Sequence, residues 1–211
     1  DTRNSLEPEE LGFSDFPPDM SLLAILNNHQ PEGTLAKLFS SMGIYKDWNN
    51  SRFSPLRSPH RPDLPSSPLL EDLSNFSLVF NNLSYRTKAV IIEQLKEVCE
   101  GVEEIITQIE GGTVQTYFQE RGLSSATPLL RISDGTLRYL FLLTLLNQKE
   151  LPPLVCLEEP ESGLHPDVIH RVADLLVEAS QRTQLIVTTH SSSLISALSN
   201  IPESVIVCER E

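Results

Sequence analysis

Short apolar runs alternate with longer amphipathic stretches through the C-terminal part of the chain. The runs at 154–158, 184–189 and 204–208 have the length of strands, and apolar residues recur at helical spacing over 167–179 and 192–198. Alternation of strands and helices is typical of βαβ units. The pattern therefore predicts an α/β fold in which these three strands are neighbours in one mostly parallel sheet.

A helix with a single apolar stripe is predicted upstream, over 85–100. The stripe consists of Val90, Ile91, Leu95 and Val98. The polar positions that face away from it are Glu93, Lys96 and Glu97. Residues three and four positions apart share one face of an α-helix, so we expect this stripe to pack on a sheet.

Two strand-like runs follow at 104–110 and 113–119, separated by Gly111 and Gly112. Both runs are rich in β-branched or aromatic residues, which favour strands. A glycine pair supplies the positive φ angles that a two-residue hairpin turn needs. We therefore predict a β-hairpin over 104–119.

Residues 1–68 differ from the rest of the chain because they are rich in Pro, Ser and Asn. Only short helical patterns occur here, at 20–26 and 33–42. This composition is typical of turns and loops. We interpret residues 1–68 as a loop-rich appendage or insert, and residues 69–211 as the main lobe.

The charge of the chain works against a large nucleic-acid-binding surface. The formal net charge is −13, whereas sequence-independent affinity for nucleic acid comes from Lys and Arg that neutralise phosphates. A local basic patch stays open as an alternative. The best candidate for such a patch is the cluster of Arg52, Arg57, His60 and Arg61. Because Pro and Ser are interleaved with these residues, we interpret the cluster as a solvated loop.

The sequence indicates a cytoplasmic protein without a membrane segment. No apolar run approaches the roughly 20 residues that span a bilayer, and no secretory signal is recognised. Cys99, Cys156 and Cys208 are widely spaced in apolar surroundings. They suit buried thiols in a reducing cytosol better than a disulfide framework.

The run at 154–158 ends in two adjacent carboxylates, Glu158 and Glu159. It is apolar enough for a central parallel strand, and in open α/β sheets ligands bind at the carboxyl ends of such strands. Successive side chains on a strand point opposite ways, so the two carboxylates would have different roles. One would hold Mg²⁺ through water, and the other would polarise an attacking water.

Further motifs give this strand a specific context. The sequence continues as Glu-Glu-Pro-Glu-x-x-Leu-His-Pro, the second strand leads to His190, and a Ser-Asp-Gly segment precedes both. These segments resemble the Walker B strand (154–159), the D-loop (161–166), the switch histidine and the signature motif (130–138) of ABC-type ATPases. The likeness is to the C-terminal half of RecF-like and SMC-like P-loop ATPase heads, of the predicted bacterial AAA_21 type, and is strong over 69–211.

The resemblance implies a role for each motif residue at the strand ends. Glu159 matches the catalytic glutamate, and Glu158 occupies the position that holds Mg²⁺. His190 matches the histidine that contacts the γ-phosphate of ATP. The chain is therefore expected to be part of an ATP hydrolase that uses ATP and Mg²⁺, and DNA repair or phage defence would be its task by analogy with relatives.

Ser133 and Gly135 stand where an apolar helix begins. Free N–H groups and the positive end of the helix dipole suit an anion there. By resemblance that anion is the γ-phosphate of ATP bound to a second subunit, so that two heads enclose ATP in a homodimer. Ser133 would also cap the helix. Asp134 replaces the Gly of the commonest signature, and its carboxylate would have to point away from the phosphate.

A phosphate-binding P-loop needs a Gly-Lys pair, and the chain has none. In ABC-type heads this Walker A motif precedes the others, so the resemblance implies that it lies N-terminal to Asp1 or in another chain. We therefore expect the complete protein to be an ATPase and this chain alone to be inactive.

Two alternatives come from other classes of function. One is a non-catalytic interaction module, the remnant of an ATPase, which the missing Walker A motif favours. The other is a metal-dependent hydrolase. Its candidate ligands are Glu158, Glu159, His165, His170 and His190. The spacing of His165 and His170 is five, not the four that would place both on one helix face.

Overall fold

A computed structural model of the chain describes residue 39 and residues 41–46 and 53–209. Residues 42–211 form one compact unit, and the elements below belong to it. The helical pattern predicted at 20–26 lies outside the described residues, as does most of the one at 33–42.

Five helices and six strands make up the described part of this unit. The helices are α1 (Phe76–Asn82), α2 (Tyr85–Lys96), α3 (Asp134–Leu146), α4 (Pro166–Ser180) and α5 (Ser192–Ala197). The strands are β1 (Gly43–Tyr45), β2 (Val102–Glu110), β3 (Thr113–Glu120), β4 (Thr127–Pro128), β5 (Leu154–Glu158) and β6 (Gln184–Thr188). None of these helices is long and apolar enough to cross a membrane.

A parallel sheet of order β1-β5-β6 positions the candidate site. β5 is its central strand, and it pairs with β6 from Leu154↔Gln184 to Glu158↔Thr188. The chain passes from β5 to β6 through α4, which makes a βαβ unit. The predicted α/β fold with a parallel sheet is confirmed, including the adjacency of the strands at 154 and 184.

The prediction of a strand at 204–208 is wrong. Pro202–Ser204 forms a 3-10 turn, residues 205–209 pair with no strand among the residues that the structure describes, and Ile206 and Val207 are exposed. β-branched residues favour a strand only where a neighbour takes up the backbone N–H and C=O groups. The third strand is instead β1, on the opposite side of β5, within the segment interpreted as an appendage. Three residues are too few to show a period of two.

The hydrophobic core is centred on α3. All residues from Leu137 to Leu146 are buried, so this helix is enclosed on every side. The Tyr45 ring of β1 packs against Phe141 of α3 with ring centroids 5.6 Å apart, and its hydroxyl donates to the Leu69 carbonyl at 2.8 Å. The middle of α3, the helix whose start carries the signature motif, is therefore packed against the sheet.

The predicted hairpin is confirmed. β2 and β3 pair antiparallel up to Glu110↔Thr113, and the turn between them has φ +56° at Gly111 and +75° at Gly112. Two positive φ angles in succession match the right-handed twist of the strands.

The helix predicted over 85–100 is α2, which ends at Lys96. Ile91 and Leu95 are buried, and α2 packs on β2 and α3. Val90 is exposed and does not belong to the stripe. At about 100° per residue it lies a quarter-turn from Ile91, outside the narrow face that Ile91 and Leu95 share.

His60 fastens the loop before α1 to the hairpin. Its backbone bridges Val114 in both directions, at 2.8 and 2.9 Å. Its Nδ1 accepts from the Ser77 backbone N–H at 3.1 Å, and its Nε2 lies 3.0 Å from the Pro55 carbonyl, to which it donates. Both ring nitrogens are thus used by the neutral form. Burial lowers the pKa of His60, opposed by the Pro55 hydrogen bond and the charge of Asp72.

This histidine makes stability depend on pH. Because the folded pKa lies below the unfolded value of about 6.5, stability is fully present above pH 6.5 and is lost as pH falls through the folded pKa. One titrating group can change stability by at most about 1.4 kcal/mol per pH unit, and the loss falls between pH 6.5 and the folded pKa. Urea unfolding at pH 7.5 and 5.5 measures it. His60→Asn, whose amide oxygen can accept from Ser77 without titrating, is the control, and an equal loss in both proteins would contradict the assignment.

Candidate active site

β5 delivers the two predicted carboxylates to the edge of the parallel sheet. Glu158 is its exposed last residue, and Glu159 follows with φ +44°, a conformation that non-glycine residues rarely adopt. The Glu159 backbone N–H donates to the Thr188 carbonyl at 2.8 Å, which ties this turn to the end of β6. Strained backbone of this kind concentrates at functional sites.

His190 lies beside Glu159, as the sequence predicted. The Nε2 atom of His190 is 3.9 Å from Oε1 of Glu159, an ion-pair distance longer than a hydrogen bond. The imidazole is 94% exposed and the Glu159 side chain 43% exposed, so both can reach a ligand at this edge. They meet because the carboxyl ends of parallel strands lie at one edge of a sheet.

A buried carboxylate that the sequence reasoning missed supports this pair. Glu161 accepts a hydrogen bond from the Thr189 hydroxyl, whose oxygen accepts from the Ser191 backbone N–H at 2.9 Å. These contacts hold the residues on both sides of His190. The other oxygen of Glu161 is buried without a hydrogen-bond partner in the described part of the chain. The only sequence signal was an acid inside the D-loop, a position that resembles a solvated turn.

Ser133 caps α3, as expected. Its hydroxyl oxygen accepts from the Thr136 backbone N–H at 3.2 Å, and its own backbone is extended. Gly135 is the second residue of α3, where an added Cβ would meet the Gly163 carbonyl oxygen at 3.0 Å. A side chain at position 135 would therefore crowd the contact between the signature segment and the D-loop.

Arg138 makes a second link between α3 and the D-loop. Its side chain is buried and donates to the Ser162 carbonyl. Burial lowers the pKa of Arg138, and the negative charges of Glu161, Asp134 and Glu159 oppose that shift. The D-loop is therefore tied to the signature helix by Arg138 and to the strand before His190 by Glu161.

Ser133 and Gly135 line a cleft of about 560 Å³ with the D-loop residues Gly163 and His165. Glu158, Glu159 and His190 do not line it. The structure therefore separates the predicted site residues into two groups: the signature residues face this cleft, and the carboxylates and histidine occupy the sheet edge.

The other histidines do not join a metal site. His165 caps α4, with its Nδ1 3.4 Å from the Asp167 backbone N–H, and His170 is exposed on the same helix. Among residues 53–209 and the shorter described stretches, no group of three His, Cys, Asp or Glu side chains is placed to share a metal ion. These described residues therefore provide no ligand set for the alternative of a metal-dependent hydrolase.

The interpretation of the basic cluster as a solvated loop is wrong for two of its members. Arg57 is buried against the signature segment, and His60 is buried as described above. Arg61 is exposed and pairs with Asp63, whereas Arg52 lies outside the described residues. The Pro-rich composition predicted a loop correctly, but it carries no information on which side chains a loop turns inward.

The parallel sheet, with the motif residues at one of its edges, agrees with an AAA-type ATPase domain. Residues 4–196 match the family described as "AAA domain, putative AbiEii toxin, Type IV TA system". The chain belongs to this family of ATPase domains.

Among solved structures, SMC heads are similar to this chain. The SmcHead bound to the C-winged helix domain of ScpA has TM-score 0.45 at 19% identity, over 60% of this chain and 40% of that one. The Smc head domain from Pyrococcus furiosus has TM-score 0.43 at 20% identity, over 53% of this chain and 29% of that one. The SMC head domain from Thermotoga maritima has TM-score 0.38 at 21% identity, over 59% of this chain and 44% of that one. The chain spans less than half the length of these structures. Among curated proteins, no sequence matches it.

Proposed function

We propose that this chain is the part of an ATP hydrolase that completes a nucleotide site at a head-to-head homodimer interface. The observation that carries the proposal is the placement of Glu159 and His190 at one sheet edge, 3.9 Å apart and open to a ligand. Phosphate release by the complete protein, with and without Glu159, is the direct test.

Glu159 is the proposed general base. A half-exposed carboxylate at a strand end can accept a hydrogen bond from water and draw its proton. His190 presents an imidazole to the same space and would contact the γ-phosphate. Thr189 and Ser191 hold the backbone on either side, so the imidazole is presented from a fixed position.

Glu158 fits a hydrated Mg²⁺ ion. Its carboxylate is exposed at the end of β5, which leaves room for the waters that this ion retains. Bound there, the ion would neutralise phosphate charge. Glu158 would thus supply a carboxylate to the ion, and Glu159 would supply a second carboxylate to the attacking water.

Ser133 and Gly135 would bind the γ-phosphate of ATP held by the partner subunit. They line a cleft that Glu159 and His190 do not line, which supports an arrangement in which each group serves a different nucleotide. The start of α3 supplies N–H groups and the positive end of a 13-residue helix dipole.

The phosphate-binding loop is proposed to come from a segment outside these residues, because no Gly-Lys pair occurs in them. Residues 1–211 alone should therefore bind Mg-ATP with negligible affinity. Calorimetric titration, with the complete protein as control, checks this expectation, and micromolar binding by residues 1–211 would contradict it.

The interaction module without catalysis remains the second candidate, favoured by the same missing motif. Sequencing the coding region upstream of Asp1 separates the two: a Gly-x-x-x-x-Gly-Lys motif in frame supports the ATPase, and its absence there and in any partner chain supports the module. Coupling of hydrolysis to DNA repair or phage defence is proposed from the family resemblance alone.

A further inference from the structure

We propose that Arg57 is a positioning residue of the signature segment, which holds the Asp134 carboxylate away from the phosphate that Ser133 would bind. The proposal rests on the proposed function of the signature segment in a dimer. It gives a role to a residue that belongs to none of the recognised motifs.

Arg57 reaches the signature segment through an extensive set of contacts. Its guanidinium is 6% exposed, and Nη1 donates to the carbonyls of Leu129 and Leu130 at 3.1 Å and of Ile132 at 2.8 Å. Its Nη2 pairs with Oδ1 of Asp134. One planar guanidinium thus holds both the 3-10 turn Leu129–Arg131, which precedes α3, and Asp134, the first residue of α3.

Arg57 is itself held in place from the other side. It closes the 3-10 turn Pro55–Arg57, in which its backbone N–H donates to the Ser54 carbonyl at 3.0 Å. Three residues later His60 bonds the Pro55 carbonyl and bridges Val114 of β3. The hairpin, this loop and the signature segment are therefore connected, and Arg57 is the charged member of the connection.

The pairing accounts for a carboxylate beside a phosphate site. Ser133, Gly135 and Thr136 line the cleft at the start of α3, whereas Asp134 and Arg57 do not. The Asp134 side chain is 67% exposed and lies on Arg57. Its negative charge is thus both turned from the cleft and neutralised. Without Arg57 that charge would lose its ion-pair partner within one residue of Ser133 and would repel the partner's nucleotide.

The test uses the complete protein carrying Glu159→Gln, so that ATP is not consumed. Arg57→Met should weaken ATP-dependent dimerisation about 10- to 100-fold, the range in which like charges oppose each other at an interface. ATP binding by the monomer should not change. Adding Asp134→Asn should restore most of the dimer, and raising the salt concentration should reduce the Arg57→Met defect. Sedimentation equilibrium with ATP measures the dimerisation of each variant at each salt concentration.

A purely structural role predicts the opposite pattern. In that case Arg57→Met with Asp134→Asn would dimerise no better than Arg57→Met alone, which would overturn the proposal. Arg57→Lys, which keeps the charge without the planar fork, should dimerise better than Arg57→Met, and it serves if the Met variant does not fold. Arg61→Met, an exposed arginine paired with Asp63, is the matched control and should behave as the parent.

The two levels of the proposal fail differently. If the Glu159→Gln protein does not dimerise with ATP at all, the proposed function and the role of Arg57 both fall. If it dimerises and a folded Arg57→Met protein dimerises equally well, only the role of Arg57 falls.

Discussion

Glu159→Gln in the complete protein should lower the rate of ATP hydrolysis by about 10²- to 10⁴-fold, the usual cost of losing a general base. The amide keeps the size and hydrogen-bonding shape of the side chain and removes the charge that orients and deprotonates water. ATP binding should survive, because the phosphate-binding loop and Ser133 are untouched. Steady-state phosphate release and equilibrium ATP binding are the two measurements.

Glu178→Gln is the matched control for this experiment. Glu178 is an exposed acid near the end of α4, and its replacement makes the same chemical change away from the sheet edge. Hydrolysis at the parent rate in the Glu159→Gln protein would show that Glu159 is not the base, however well the motif matches.

Ser133→Arg should prevent ATP-dependent dimerisation while the monomer still binds nucleotide. A long side chain cannot fit where the backbone must approach a phosphate of the other subunit. The substitution also removes a helix cap, which costs about 1 kcal/mol. Ser133→Asp, which keeps a capping carboxylate but places a negative charge at the cleft, should therefore prevent the dimer as well.

Ser180→Arg, at the exposed end of α4, is the control for added bulk and charge. Size-exclusion chromatography with ATP compares the variants. A stable dimer of the Ser133→Asp protein would mean that this cleft does not face the nucleotide.

The elements with strong patterns were predictable from the sequence, and those set by tertiary contacts were not. The helix around Leu137 and the strand before Glu158 carry long apolar runs, and Gly111 with Gly112 specifies a turn by local backbone chemistry. β1 has only three residues and is a strand because β5 pairs with it. Residues 205–209 have strand composition but no strand partner in the described part of the chain.

The same division applies to the candidate site. The approach of Glu159 to His190 follows from motif order and parallel strands, which the sequence contains. The roles of Arg57 and Glu161 depend on which side chains turn inward from a Pro-rich loop and from the D-loop. Sequence periodicity does not show whether these two side chains point inward, because their hydrogen-bond partners lie in segments distant in sequence.

The most direct test of the central claim is the molar mass of the complete Glu159→Gln protein, measured by light scattering during size-exclusion chromatography. We expect a monomer without nucleotide, a dimer with Mg-ATP, and a monomer under both conditions when Ser133→Arg is added. The same mass with and without ATP in the Glu159→Gln protein would contradict the claim.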